Sequence, residues 1–287
     1  MTIQTDILHR YLFDGMHVRG ELVQIKNAYQ TLVANHDYPQ GVKTLLGEVM
    51  AATSLLTATI KFEGEITVQL QGDGPIGYLS VNGNHQQQMR GLAKLKQPTE
   101  AKGLKALIGK GNMVITIQPS QGDPYQGIVA LEHESFAECL AHYFEVSEQI
   151  PTKIWLFTDE ENEQVAGSLV QLLPDGEDKA KQQDDFDHLC QLTDTIKHEE
   201  IFSLDAQELL YRLYHQEEVR LFDPQAISFK CGCSEEKCLT AISQIDTGEL
   251  QSILTEQGKI SMTCDACQTT YAFGEAELAQ FLSGTSH

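Results

Sequence analysis

Two close cysteine pairs constrain this chain more than any other feature of it. "KCGCS" places Cys231 and Cys233 one residue apart, and "TCDAC" places Cys264 and Cys267 two apart, about thirty residues downstream. Structural zinc takes four thiolates in a tetrahedron, and a close pair delivers two sulfurs from one turn, so the two pairs add up to one site. Gly232 suits the tighter CxC turn because it has no Cβ to crowd an ion. The expectation is one zinc per chain, held by Cys231, Cys233, Cys264 and Cys267. The flanks agree: Ile260 and Met262 alternate into the second pair and Tyr271 and Phe273 continue beyond it, the strand, thiol turn and strand of a zinc knuckle.

Other uses of clustered thiols compete with this one. A redox CxxC normally opens a helix, whose N-terminal dipole lowers one thiol's pKa, whereas "QTTYAF" after Cys267 reads as strand. A catalytic zinc keeps one position open for water, and four thiolates leave none. Cys238, within a helix beginning at Ser234, and Cys139, on a helix of the N-terminal part, read as small buried hydrophobes. Cys190 has no assigned role, and the ten histidines show no paired metal spacing.

The chain of 287 residues is long enough for two domains or more. Over residues 1–174 helices and strands mix, and the expected class is α+β. Val42, Leu45, Leu46, Val49, Leu55, Leu56 and Ile60 recur at helical spacing in a largely buried helix. Ile66, Val68 and Leu70 share a strand face that turns at Gly72-Asp73-Gly74-Pro75 and returns through Tyr78 to Val81. "NMVITIQP", "YQGIVALE", "TKIWLFT" and "VAGSLVQLLP" read as further strands, and Ser135 with Glu138 as a capping box.

Composition shifts after Pro174. Residues 175–220 carry 13 acidic against 5 basic side chains, a net of −8. Asp205 and Glu208 stand at capping spacing ahead of Leu209, Leu210, Leu213 and Tyr214, a narrow apolar stripe on an otherwise charged helix. The segment reads as a solvated helical connector, or as one only marginally docked, whose release would uncover Leu209, Leu213 and Tyr214 as apolar surface. The division expected is 1–174 for an N-terminal core, 175–225 for an acidic linker and 226–287 for a small zinc domain, where Asp246 and Glu249 start a helix that Gly258 stops.

Charge excludes some partners. With 41 acidic and 20 basic side chains the net is −21, which repels polyphosphate, so no nucleic-acid partner is expected. The N-terminus lacks signal-peptide features and no run of about 18 apolar residues occurs, so neither export nor a membrane partner is expected and the location expected is cytoplasmic. Seven cysteines in a reducing compartment point to metal or redox work rather than a disulfide framework. No GK[ST] phosphate loop appears, so nucleotide has no evident entry point.

The two cysteine pairs, "EEVRLFDPQAISFKCGCS" leading into them, and "LLGEVMAATSLLTATIKFEGEITVQLQGDGP" together resemble the bacterial redox-regulated heat-shock chaperones of the heat-shock protein thirty-three family, over nearly the whole chain. Ala166-Gly167-Ser168 departs from that family's usual Ala-Gly-Gly, which bears on local packing. The resemblance implies a non-enzymatic, ATP-independent holdase, silent when reduced and zinc-bound. It implies that oxidation joins Cys231 to Cys233 and Cys264 to Cys267, expels zinc and unfolds the linker and zinc domain. Unfolding client proteins, a homodimer formed on activation and hand-over to ATP-dependent chaperones are the partners it implies. Two other functions fit the residues: a constitutive zinc-stabilised interaction module, in which the cysteines only hold a fold, and a zinc-free thiol oxidoreductase, against which the strand-flanked CxxC argues.

Overall fold

The computed structural model describes residues 4–59, 63–174 and 178–282. Ile60 of the expected buried helix and residues 175–177 of the connector lie outside them. The chain divides into two compact units, Met1–Lys230 and Cys231–His287.

The first unit begins with strands β1 (Ile7–Phe13) and β2 (Val18–Ile25), then helices α1 (Asn27–Ala34) and α2 (Gln40–Thr59). Next come β3 (Gly64–Gly72), β4 (Ile76–Asn84), β5 (Gln88–Leu95), α3 (Leu104–Ile108), β6 (Gly111–Pro119) and β7 (Tyr125–Ala130). They are followed by α4 (Phe136–Tyr143), a π-helical turn at Phe144–Glu148, β8 (Thr152–Asp159) and β9 (Gln164–Leu172). The connector supplies α5 (Lys179–Thr193), α6 (His198–Ser203) and α7 (Ala206–Tyr214), and the unit closes with β10 (Val219–Leu221), β11 (Gln225–Ala226) and β12 (Ser228–Phe229).

Two sheets result, ordered β10-β1-β2-β9-β8 with β11 also on β1, and β12-β5-β4-β3-β6-β7. The hairpin read from the sequence is β3–β4, in antiparallel register with Val68 opposite Val81 and Leu70 opposite Leu79. Helix α2 is apolar on nearly every side, so it must be enclosed; it packs on β2, β8 and β9 of one sheet and on β3, β4 and β5 of the other. Gly47 permits that closeness, since a Cβ there would stand 2.4 Å from Val165. The capping box forms as read: Ser135 accepts the Glu138 N–H and the Glu138 carboxylate accepts the Ser135 N–H.

The first sheet is covered on both faces. Side chains alternate along a strand, so Val165 and Leu169 of β9, with Val23 and Ile25 of β2, join the α2 core. Ala166 and Val170, with Val18 and Leu22 of β2 and Tyr11 and Phe13 of β1, face the other way, onto Phe186, Leu189, Ile201, Leu209 and Leu213 of the connector. The connector therefore differs from a solvated helix: its acidic side chains line the outward side while its apolar ones complete a second core. Tyr214, 2 % exposed, donates its hydroxyl to Thr193 at 2.5 Å, because the Thr193 hydroxyl is itself spent on the Leu189 carbonyl.

The second unit is small. It holds α8 (Glu235–Ile242), α9 (Thr247–Gln257), the hairpin β13 (Ile260–Thr263) and β14 (Thr270–Phe273), and α10 (Glu275–Leu282). Asp246 caps α9 by accepting from the Gly248 and Glu249 N–H groups, and Gly258 ends it at φ 73°. Among the described residues, six apolar side chains, Ile242, Leu250, Leu254, Ile260, Phe273 and Leu278, form its buried core. Domains this small commonly gain stability from a metal or disulfide cross-link. No helix among the described residues is long and apolar enough to cross a membrane.

Candidate metal centre

Each thiol pair sits in a turn built by its neighbours. On the first, Ser234 caps α8 by accepting the Lys237 N–H, and the Lys237 ammonium donates to the Gly232 carbonyl at 2.6 Å, pinning the CxC turn between them. On the second, the β13–β14 hairpin narrows to a knuckle: the Cys264 N–H donates to the Thr269 carbonyl at 2.9 Å and the Gln268 N–H to the Cys264 carbonyl at 2.8 Å. Gln268 takes φ 57° to close it.

The two turns bring Cys231, Cys233, Cys264 and Cys267 together, with all four sulfurs within 4.8 Å of one another. Cys231 Sγ lies 3.6 Å from Cys264 Sγ and Cys233 Sγ 3.4 Å from Cys267 Sγ. Tetrahedral zinc with Zn–S bonds of about 2.3 Å needs sulfurs about 3.8 Å apart, so the donor set and its spacing fit that ion. Both of these contacts join one turn to the other, so each pair contributes to a single shared site.

As protonated thiols, Cys231, Cys233 and Cys267 titrate unevenly. Burial pushes Cys231 up to about 12. Cys233 also ends raised, the pull of the Tyr271 hydroxyl being outweighed by burial and neighbouring thiols. Burial works against ionisation at Cys267, yet hydrogen bonds from the Thr269 side chain and backbone, with those of the nearby thiols, draw it down to about 6. Four adjacent thiolates would repel one another, and a shared divalent cation removes that cost.

Two more thiols belong to the first unit and are not members of this cluster. Cys139 and Cys190 are buried in the first unit, and burial raises both, Cys190 to about 12. Cys238 is half-buried on α8 against the small core. The candidate apolar residues Leu209, Leu213 and Tyr214 are covered by the first sheet.

Sequence reasoning missed Gln24. This side chain, 5 % exposed on the connector-facing side of β2, donates from Nε2 to the carbonyls of Ile201 at 2.6 Å and Leu204 at 2.9 Å, at the end of α6. A polar residue in phase with Val18 and Leu22 was the available signal, since a buried amide requires a partner.

The family model described as "Hsp33 protein" matches residues 6–274. The chain is 62 % identical to the 33 kDa chaperonin of Colwellia psychrerythraea, covering 99 % of each protein. It is 52 % identical to that of Shewanella oneidensis, covering 98 % of this chain and 97 % of the relative. A crystal structure of a 33 kDa chaperonin, a heat shock protein 33 homologue from Thermotoga maritima, superposes with a TM-score of 0.81 over 97 % of this chain and 98 % of that one, at 23 % identity, a likeness of fold.

Proposed function

The chain belongs to the Hsp33 family, and from that premise we propose that it is a redox-switched, ATP-independent chaperone that holds unfolding client proteins. The observation that carries the redox part is the convergence of four thiols on one tetrahedron. When bound, zinc would keep Cys231, Cys233, Cys264 and Cys267 as thiolates and cross-link their two turns. Apparent binding of structural zinc is worth roughly 10–16 kcal/mol, as much as the entire net stability of a domain, about 5–15 kcal/mol. A unit with six buried apolar side chains would then fold only while its thiolates are shared.

Oxidant consumes those thiolates. Resemblance to the family implies Cys231 with Cys233 and Cys264 with Cys267 as the disulfide partners. The first ligand, Cys231, directly follows Lys230, whose N–H is bonded to the Met89 carbonyl at 2.9 Å. Loss of order after residue 230 would free the short strands β11 and β12 and, through the continuous chain, loosen the connector. Release of α5–α7 would bare Leu209, Leu213 and Tyr214 together with the sheet face beneath them, and the net acidic charge would keep the opened protein dispersed. The working division is then 1–174 core, 175–225 linker and 226–287 switch. Unfolding clients, a second copy on activation, hand-over to ATP-dependent chaperones and action in the cytoplasm belong to the same proposal.

The test is a client-aggregation assay without nucleotide, using reduced zinc-loaded protein and the same protein after peroxide with mild heat. Protection only after oxidation, with loss of one zinc per chain, is expected. Equal behaviour of the two forms would leave a constitutive zinc-stabilised module as the better reading.

A further inference from the structure

Two side-chain hydroxyls lie at sulfur in the knuckle: Thr269 Oγ1, which accepts from the Cys267 thiol, and Tyr271 Oη, beside Cys233 Sγ. Thr269 Oγ1 lies 3.3 Å from Cys267 Sγ, two residues away, where the turn itself brings it. Tyr271 Oη lies 3.3 Å from Cys233 Sγ, which is 38 positions distant in sequence. That contact exists only because β14 pairs with β13, Tyr271 opposite Met262, and closes the second turn over the first. The Tyr271 ring packs against the small apolar core, so packing needs the ring and not its hydroxyl. Among the described residues no side-chain hydroxyl reaches Cys231 or Cys264.

We infer that Tyr271 is a positioning residue of the redox switch, whose O–H donates to the Cys233 thiolate, holds that sulfur in the ligand set and slows its oxidation. The inference rests on reading the cluster as a zinc–thiolate switch. A hydrogen bond to a metal-binding thiolate orients it and takes up part of its charge, and loss of such a partner typically weakens metal binding by about 10–100-fold. The same bond lowers reactivity. The Cys233 thiolate attacks one oxygen of hydrogen peroxide; an S–O bond forms as the O–O bond breaks, sulfur gives two electrons to the peroxide, and hydroxide departs. A second thiolate then attacks the sulfenic acid sulfur and displaces another hydroxide, closing the disulfide. Charge leaves sulfur in the first step, so a donor to sulfur stabilises the ground state more than the transition state.

The test uses full-length Tyr271→Phe, which keeps the ring, beside Thr269→Val. Zinc affinity is measured by chelator competition without oxidant, and modification of each cysteine is followed by mass spectrometry under limiting peroxide. Tyr271→Phe should weaken zinc binding about tenfold and speed Cys233 oxidation relative to Cys264. Thr269→Val should instead shift Cys267 and leave Cys233 unchanged. Wild-type behaviour in Tyr271→Phe, or equal acceleration at all four sulfurs as general loosening would give, overturns the inference. Failure of the wild-type chain itself to bind zinc would overturn the switch reading beneath it, and is read separately.

Discussion

Replacing Gln24 with methionine tests how the connector is held. Methionine matches the length and volume of glutamine but has no donor, so the Ile201 and Leu204 carbonyls, now served by Nε2 at 2.6 and 2.9 Å, lose their partner inside the protein. A buried acceptor left unpaired costs about 1–3 kcal/mol. One amide serves both carbonyls, so a net loss of about 2 kcal/mol in docking of α6 is expected, equivalent to about 30-fold in the opening equilibrium. Hydrogen exchange on reduced, zinc-loaded protein reads this directly, because connector amides that exchange through local release should speed up about 30-fold while Glu65–Gln71 of β3, in the α2 core, should not change. Such a variant should also protect clients after a milder oxidation than wild type. Unchanged exchange in residues 198–214 would refute the latch. Equal acceleration in β3 would show that the substitution had weakened the whole unit.

Three further outcomes are expected. Cys264→Ser should abolish tight zinc binding, measured by metal content after dialysis, whereas Cys139→Ser, at a buried site away from the cluster, should retain one zinc per chain. Zinc loading at pH 7 should release at least two protons, because Cys231 and Cys233 are raised and must lose theirs to bind; calorimetry in buffers of different ionisation enthalpy measures the number, and release of none would refute thiolate ligation. Burial pushes Glu21 from 4.5 up to about 8 despite Arg19 and Arg10. The folded chain therefore keeps a proton that the unfolded chain gives up, and stability falls as pH rises from about 4.5 to 8. Glu21→Gln should flatten that fall, recovering on the order of 4 kcal/mol at pH 8 by chemical denaturation, and an unchanged pH profile would refute the assignment.

Much of the site was written in short-range spacing. CxC and CxxC, the cap at Ser234, and the β-alternation around Ile260, Met262 and Tyr271 are all local, and local signals survive in a sequence. The α+β class was legible for the same reason, through the β3–β4 hairpin and the apolar α2. The second core was harder to see because its evidence is split between distant segments. "VAGSLVQL" is apolar on both strand faces, which requires cover on both, yet the cover comes in part from α5, whose buried residues, Gln182, Phe186, Leu189, Cys190 and Thr193, include only two large apolar side chains. The latch at Gln24 and the hydroxyl of Tyr271 act on groups 177 and 38 positions away. Chain spacing carries no mark of such pairs. Strands of two residues, such as β11 and β12, owe their conformation to the sheet they join and have no pattern of their own.

Redox switching of the proposed kind requires that the thiols, through zinc and the connector, decide whether apolar surface is offered to clients. Cys190 provides a direct measure, since it is 5 % exposed on the sheet-facing side of α5, within the connector itself, and lies outside the thiol cluster. Reduced zinc-loaded protein is treated with peroxide, and zinc release, alkylation of Cys190 and suppression of client aggregation are followed in the same samples. Zinc should leave, Cys190 become reactive and client protection appear together, with none of the three in the unoxidised sample. Full protection by reduced, zinc-loaded protein whose Cys190 stays unreactive would contradict that switching.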